Sequence, residues 1–407
     1  MVMLAWRNVW RNFRRSLITT ASMGCGLAAI MFGQSMIKSE QQQLVEKATG
    51  SITGHIQIQH KDIKEFKFPD KYFGDTRRVE EILAKEPGIK VFGKRINITG
   101  LVSSPKGSEG TLICAVEPDK EAQVTTMAGY IVKGEFFSDK YPKSIVLGDK
   151  LATKLDLRLG EKAVVMAQAQ DGSMGAEAFR VVGIFHTGSV SFDGQIVYIP
   201  LAAAQEILAV GDKVNHFVAK VDDIGKADEI RDDLQAKLRA AGLPLQAVSW
   251  RDVDHEITSI QKFQDGLLDI VLAIIFVIVA LGILNTLLMS LFERVREFGV
   301  LMAVGARPGW IMRLVLIESI LLGSIGTLLG LAIGSAMIAY FGKFGLPLPI
   351  GDALSYFIPF PSVIFLRWSW GSHAYAAGAI LATSLVAAVP PALRACRLRP
   401  AEALRHV

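Results

Sequence analysis

The chain has 407 residues, of which 51% are hydrophobic and 20% charged, and its formal net charge at pH 7 is +5. This composition excludes an intrinsically disordered chain, which would be less apolar and more strongly charged. The 3 cysteines are too few for disulfide bonds to stabilise a fold of this length. A net positive charge is compatible with nucleic-acid binding, so the location of that charge decides what it means.

Four long segments are almost free of charged residues: 16–37, 270–292, 314–341 and 372–393. A helix that crosses a bilayer core of roughly 30 Å needs about 20 apolar residues, and each segment meets that length. Buried helices of a soluble protein are the alternative, which four such runs make improbable. The first run follows four arginines, as a signal peptide would, but it is too long and lacks a convincing cleavage site. We therefore predict four transmembrane helices, the first of them a retained anchor.

The positive charge lies beside these segments. Residues 1–15 carry +4, 293–313 carry +2 and 394–407 carry +3, whereas 38–265 carry −3. Lys and Arg concentrate in cytoplasmic loops. We therefore predict that the three basic segments are cytoplasmic, and the charge then records topology and gives no support to nucleic-acid binding.

This orientation gives a complete domain assignment. The fold class is an integral membrane α-helical protein with a large α+β extracytoplasmic domain. The predicted order is a cytoplasmic amphipathic N-terminal helix (1–15), transmembrane helix 1 (16–37), the extracytoplasmic domain (38–265), transmembrane helix 2 (266–292), a cytoplasmic loop (293–313), transmembrane helix 3 (314–341), an outer loop (342–371), transmembrane helix 4 (372–393) and a cytoplasmic tail (394–407).

Periodicity along 38–265 predicts both helices and strands. Helices are expected at 38–48, as a continuation of the first span, and at 75–85 and 223–240. Apolar and polar residues alternate at 54–59, which predicts a strand, and further strands are expected at 91–101, 110–116, 144–147, 163–169, 178–185 and 196–199. The strands of the last four runs favour a strand-rich inserted subdomain at about 130–200.

The sequence offers no catalytic constellation. The outer histidines are scattered without metal-ligand spacing, so we predict neither a metal site nor catalytic residues. Residues 88–94 match the first seven positions of a P-loop, but Arg95 replaces the Ser or Thr that would hold Mg²⁺. We therefore expect a protein that is not itself an enzyme and does not hydrolyse ATP.

The third apolar segment carries two further signals. Gly326, Gly330 and Gly334 recur every four residues, a pattern that allows close helix packing in lipid. Static packing and a sliding interface are equally compatible with it. Glu318 is the single charge of the segment, and pairing with Arg313 or snorkelling would relieve its cost. We expect it to serve packing or coupling rather than proton transport.

The loop at 293–306 reads E-R-x-R-E-x-G-x-L-x-A-x-G-A. Spacing alone slightly favours a solvated turn over a short helix that another protein approaches. The run, however, resembles the cytoplasmic signature of FtsX/MacB/Lol-type ABC transporter permeases. The N-terminal stretch LAWRNVWRN, the tail PPALRACRLRPAEALR and the outer-domain runs VLGDKLA, FRVVGIF and VYIPL are also similar to that family, whose outer domain has porter-like and Sabre-like subdomains.

The resemblance implies how the chain would work. Two permease subunits, identical or related, would pair in the bacterial inner membrane, with the large domain in the periplasm. A separate cytoplasmic ATPase would bind ATP and Mg²⁺ and dock on a coupling helix, so that ATP-driven closure moves the outer domains. The implied ATPase-coupling residues are Glu293, Arg294, Arg296, Glu297, Gly299, Ala303, Gly305 and Ala306.

The layout is most similar to lipoprotein-releasing subunits of the LolC/LolE type. The implied function is release of lipoproteins from the inner membrane toward the outer membrane, with lipoprotein as the substrate and a periplasmic carrier as a partner. Two alternatives stay open: MacB-type efflux, and FtsX-like signalling to an outer partner. Membrane lipid is an expected partner and nucleic acid is not.

Overall fold

The structure, a computed structural model, describes residues 1–11, 13–63, 70–138, 140–347 and 363–397. These residues divide into two compact units. The helical unit comprises residues 1–41, 262–347 and 363–397, and the outer unit comprises residues 42–261.

Long apolar helices dominate the helical unit. Four of them are long and apolar enough to cross a membrane. The unit is built from α1 (Val2–Arg11), α2 (Phe13–Ala48), α10 (His255–Glu293), α11 (Val295–Ala303), α12 (Pro308–Phe344), the short strands β11 (Leu346–Pro347) and β12 (Val363–Ile364), and α13 (Trp370–Cys396).

The four long helices extend beyond the predicted spans. α2 includes residues 16–37 but starts at Phe13 and continues to Ala48, and α10 starts at His255 rather than near residue 266. The helix predicted at 38–48 is confirmed as the end of α2. The polar start of α10 was missed, because hydropathy marks only the apolar stretch of a helix. The predicted loop at 342–371 and the tail at 394–407 lie largely outside the described residues.

The outer unit combines strands and helices in alternation. Its helices are α3 (Thr76–Ala84), α4 (Pro118–Val124), α5 (Asp149–Leu155), α6 (Val190–Gln195), α7 (Leu201–Leu208), α8 (Ala227–Ala240) and α9 (Trp250–Val253). Its strands are β1 (Ile56–His60), β2 (Ile89–Ser104), β3 (Gly107–Val116), β4 (Ile131–Gly134), β5 (Ser144–Gly148), β6 (Lys162–Gln168), β7 (Met174–Phe185), β8 (Ile196–Pro200), β9 (His216–Val221) and β10 (Leu245–Ser249).

These ten strands form one sheet with the order β10-β1-β9-β2-β3-β8-β5-β7-β4, and β6 pairs with both β2 and β7. The pairings close a ring of six strands, β2-β3-β8-β5-β7-β6. β2 makes this possible because its first half pairs with β9 and its second half with β6. The strands within 130–200 are therefore hydrogen-bonded to the rest of the sheet, and the P-loop-like run lies almost entirely in β2.

Candidate functional site

The predicted coupling segment folds as the short helix α11, between α10 and α12. Gly305 ends it in a left-handed conformation with φ +102°. Two backbone bonds close this end, from Gly305 N–H to Met302 C=O (3.0 Å) and from Ala306 N–H to Leu301 C=O (2.9 Å). Glycine adopts this conformation at little cost, and Pro308 then suits the first turn of α12.

A chain of ion pairs runs through α11. Arg15 contacts Glu293 at 2.9 Å, and Arg11 contacts Glu297 at 3.0 Å. Arg294 then bridges two carboxylates, because its Nε lies 3.1 Å from Glu297 and its Nη1 3.2 Å from Glu318. Arg294 and Glu318 are each only 6% exposed. The chain thus joins α1, α11 and α12.

The structure corrects the expected partner of Glu318, which is Arg294 and not Arg313. Arg294 lies 24 positions away in the sequence, so helical spacing gives no hint of the pair. The guanidinium of Arg294 also lies over the ring of Phe298, 4.9 Å from its centroid. A buried charge with this many partners avoids most of the desolvation cost of an isolated one.

The pKa of Glu297 reflects the same chain. Partial burial opposes ionisation of this carboxyl, but hydrogen bonds and charges from Arg11 and Arg294 outweigh it. Together they hold the pKa of Glu297 below its usual value. The carboxylate therefore stays ionised and paired at neutral pH.

α11 has one packed side and one open side. Val295 and Phe298 are buried, and Phe298 belongs to a cluster with Ala5, Leu291 and Ile311. The open side presents apolar and small side chains, with Val304 84% exposed. The residues of this outward face are Arg296, Val300, Leu301, Ala303, Val304 and Gly305.

The eight predicted coupling residues therefore fall into different environments. Arg296, Ala303 and Gly305 lie on the outward face, and Ala306 is half-buried beside it. Glu293 and Glu297 are exposed but paired with arginines of the N-terminal region, while Arg294 and Gly299 are buried. Sequence reasoning missed Val300 and Val304, whose position four apart on one helix face was a usable signal.

The three glycines of α12 lie against α2. A Cβ at Gly326 would lie 2.7 Å from Met23 Cβ, and one at Gly330 would lie 2.6 Å from Leu27 Cβ. A Cβ at Gly334 would lie 2.9 Å from the sulfur of Met31. The two helix backbones approach so closely that they leave no room for larger residues.

One cluster in the outer unit has potential metal ligands. His186 Nδ1 lies 3.1 Å from Asp149 Oδ2 and 3.2 Å from Asp193 Oδ2. Both distances suit hydrogen bonds. Burial raises the pKa of Asp193, although its carboxylate accepts bonds from Thr187 N–H and hydroxyl (3.0 and 2.7 Å). These hydrogen bonds hold the loop before α6 in place, which accounts for the cluster without a metal.

Two family models match the chain. The MacB-like periplasmic core domain matches residues 16–237, more than half of the chain. The FtsX-like permease C-terminal model matches residues 270–400. Both models describe permease regions, and they confirm the family and the fold class expected from the sequence.

Several named proteins are similar in sequence over most of this chain. A lipoprotein-releasing system transmembrane protein LolC from Xylella fastidiosa is 26% identical over 313 residues, 72% of each chain. An uncharacterized ABC transporter permease, YvrN of Bacillus subtilis, is 24% identical over 100% of this chain and 99% of its own. A macrolide export ATP-binding/permease protein MacB from Hyphomonas neptunium is 26% identical over 78% of this chain and 50% of its own length. The chain is therefore an ABC transporter permease of the MacB/LolC/FtsX type, a membrane protein with a periplasmic domain.

Proposed function

We propose that the chain is the permease subunit of an inner-membrane ABC transporter that releases lipoproteins toward the outer membrane. A separate cytoplasmic ATPase binds ATP and Mg²⁺ and docks on the outward face of α11. A second permease subunit, identical or related, completes the membrane part.

The observation that carries the coupling role is the division of α11 into two sides. Its inner side is packed and ion-paired to α1 and α12, so a force applied to the helix reaches both. Its outward face exposes Val300, Val304 and small residues beside Arg296. Exposed apolar side chains next to residues that allow close approach suit a protein partner.

The second subunit has support from α10. This helix is the least covered of the four long ones, with 17% of its most apolar stretch buried against 50% for α12. Side chains such as Ile274, Ile278 and Leu281 are exposed along it. Lipid and a neighbouring permease helix both suit such a surface, and α10 is where we place the subunit contact.

Lipoprotein release is favoured by the extent of the similarity. The LolC relative and this chain cover each other to the same 72%, whereas the MacB relative is twice as long as the region it shares. Acyl chains require an apolar path and no catalysis. Such a cargo would enter sideways between the first and second long helices of paired subunits.

The direct test is reconstitution. The chain is purified with its cognate ATPase, inserted into proteoliposomes loaded with several lipoproteins, and supplied with ATP and a soluble acceptor. ATP-dependent transfer of at least one lipoprotein to the acceptor supports the proposal. Intact ATP turnover without transfer of any lipoprotein would contradict the substrate assignment and leave the permease assignment standing.

MacB-type export is the second candidate, favoured by the match of the MacB-like core domain over residues 16–237. Under that function the same proteoliposomes would transport amphiphilic small molecules or peptides and transfer no lipoprotein. An FtsX-like signalling permease would transport neither and would activate an outer enzyme when ATP is hydrolysed.

A further inference from the structure

The helical unit contains a cavity of about 610 Å³ where α1 meets α11 and α12. Aromatic and aliphatic side chains form much of its wall, with Trp6 and Trp10 from α1, Leu301 after the middle of α11, and Trp310 and Leu314 from α12. Arg7 and Arg11 line the same space. We call it the basic cavity.

The charges around the basic cavity do not balance. Arg11 and Arg294 both form ion pairs with the carboxylate of Glu297, and Arg294 also forms an ion pair with Glu318. Arg7 is exposed, and no carboxylate of the described residues lies within ion-pair distance of it. The cavity thus keeps a positive charge that a bound anion would neutralise.

The apolar surface beside this charge is that of an interfacial helix. α1 has its small residues Ala5 and Val9 buried, whereas Met3, Trp6 and Trp10 are exposed. Trp10 stacks on Phe13 at a centroid distance of 5.4 Å, at the start of the first membrane helix. Tryptophan and arginine together on a helix that leads into a span are typical of the headgroup layer of a bilayer.

We propose that the basic cavity binds one anionic phospholipid of the cytoplasmic leaflet, a role that goes beyond the transport function. The phosphate lies at Arg7 and Arg11, and the acyl chains follow Trp6, Trp10 and Leu314. A free anion would use the arginines alone and would leave the aromatic wall uncovered. A lipid uses both, which is why the observations favour it.

Native mass spectrometry of the full chain in detergent, with equal amounts of phosphatidylglycerol and phosphatidylcholine added, tests the site. We expect the wild-type chain to retain phosphatidylglycerol preferentially, and Arg7→Gln to reduce that preference about five-fold, the contribution of one cation near an anionic surface. Trp10→Ala should reduce retention of both lipids, because it removes part of the acyl wall.

Arg394→Gln is the matched control, since Arg394 is an exposed arginine at the end of α13 that does not line the cavity. It should leave the preference unchanged. An equal loss in both arginine variants, or no loss in Arg7→Gln, would overturn the proposal. Abolition of the preference by excess inorganic phosphate would also overturn it, because the site would then take a free anion.

Discussion

Arg294 and Glu318 connect a nine-residue helix to a membrane span through buried charge. Both side chains are buried, and Glu318 has its ion pair with Arg294, which also contacts Glu297. Removing one partner of such a pair leaves an unpaired buried charge, which costs about 3–5 kcal/mol, whereas replacing both by apolar residues of similar volume is often tolerated.

This dependence gives a prediction at the residue scale. Arg294→Met and Glu318→Met should each lower the thermal unfolding midpoint of the detergent-solubilised chain, by an amount consistent with about 3 kcal/mol or more. The double variant should recover most of that loss. A double variant whose loss equals the sum of the two single losses would show that the residues do not act as a pair.

The sequence predicted the charged loop but not the arrangement of its charges. The family signature placed Glu293, Arg294, Arg296 and Glu297 at the site, and in the structure they lie where α10 ends and α11 begins. The family signature could not distinguish the buried from the exposed residues of this set, because their burial depends on contacts with Arg11, Arg15 and Glu318. Those partners come from segments that only the tertiary fold brings near.

At the scale of elements, the packing of α12 on α2 depends on residues without side chains. A Cβ at Gly330 would meet the backbone as well as a side chain, with Gly24 O at 2.9 Å, so the helices would have to separate. Met31, which faces Gly334, is flexible and can move more easily.

We therefore expect Gly330→Ala to destabilise the chain more than Gly334→Ala, with a loss of about 1–3 kcal/mol for the former. Gly378→Ala on α13 is the control, because a Cβ there would meet nothing within 4 Å. Thermal unfolding of the three variants in detergent measures the order. Equal stability of Gly330→Ala and Gly378→Ala would contradict the close approach. Sliding of α12 along α2 during transport stays one of the two alternatives that the glycine pattern allows.

Elements with strong periodicity were predictable and others were not. The strand at 163–169 and the helix at 75–85 match β6 and α3 to within one residue at each end, and the strand at 178–185 matches β7 except that β7 starts four residues earlier. β9 and β10 were missed, although β9 lies inside the sheet between β1 and β2. β9 is buried on nearly every residue and therefore lacks regular alternation, and its His216 and Lys220 also interrupt the continuous apolar run that marks a fully buried strand such as β8.

At the scale of the whole molecule, the distribution of charge along the chain reflects how the chain crosses the membrane. The basic segments carry +9 and residues 38–265 carry −3, and the rest of the chain contributes −1 to the net charge of +5. The apolar excess lies in the four long helices. Both follow from sequence because a bilayer imposes length and charge bias on any chain that crosses it. The closed ring of six strands could not be predicted from the sequence, because it depends on pairing between strands that are far apart in the chain.

The central claim is that an ATPase acts on the molecule through the outward face of α11. Val304→Asp places a charge at the most exposed apolar position of that face. It should weaken binding of the cognate ATPase about ten-fold, as loss of a central interface contact does, and lower ATP turnover of the complex accordingly. Val132→Asp, at a 57% exposed position of β4 in the outer unit, should change neither.

The most direct measurement is therefore the affinity between the cognate ATPase and the full chain in lipid nanodiscs, compared for wild type, Val304→Asp and Val132→Asp. We predict a selective loss of affinity in Val304→Asp, with the thermal stability of that variant unchanged. Equal ATPase affinity and ATP turnover in all three would contradict it.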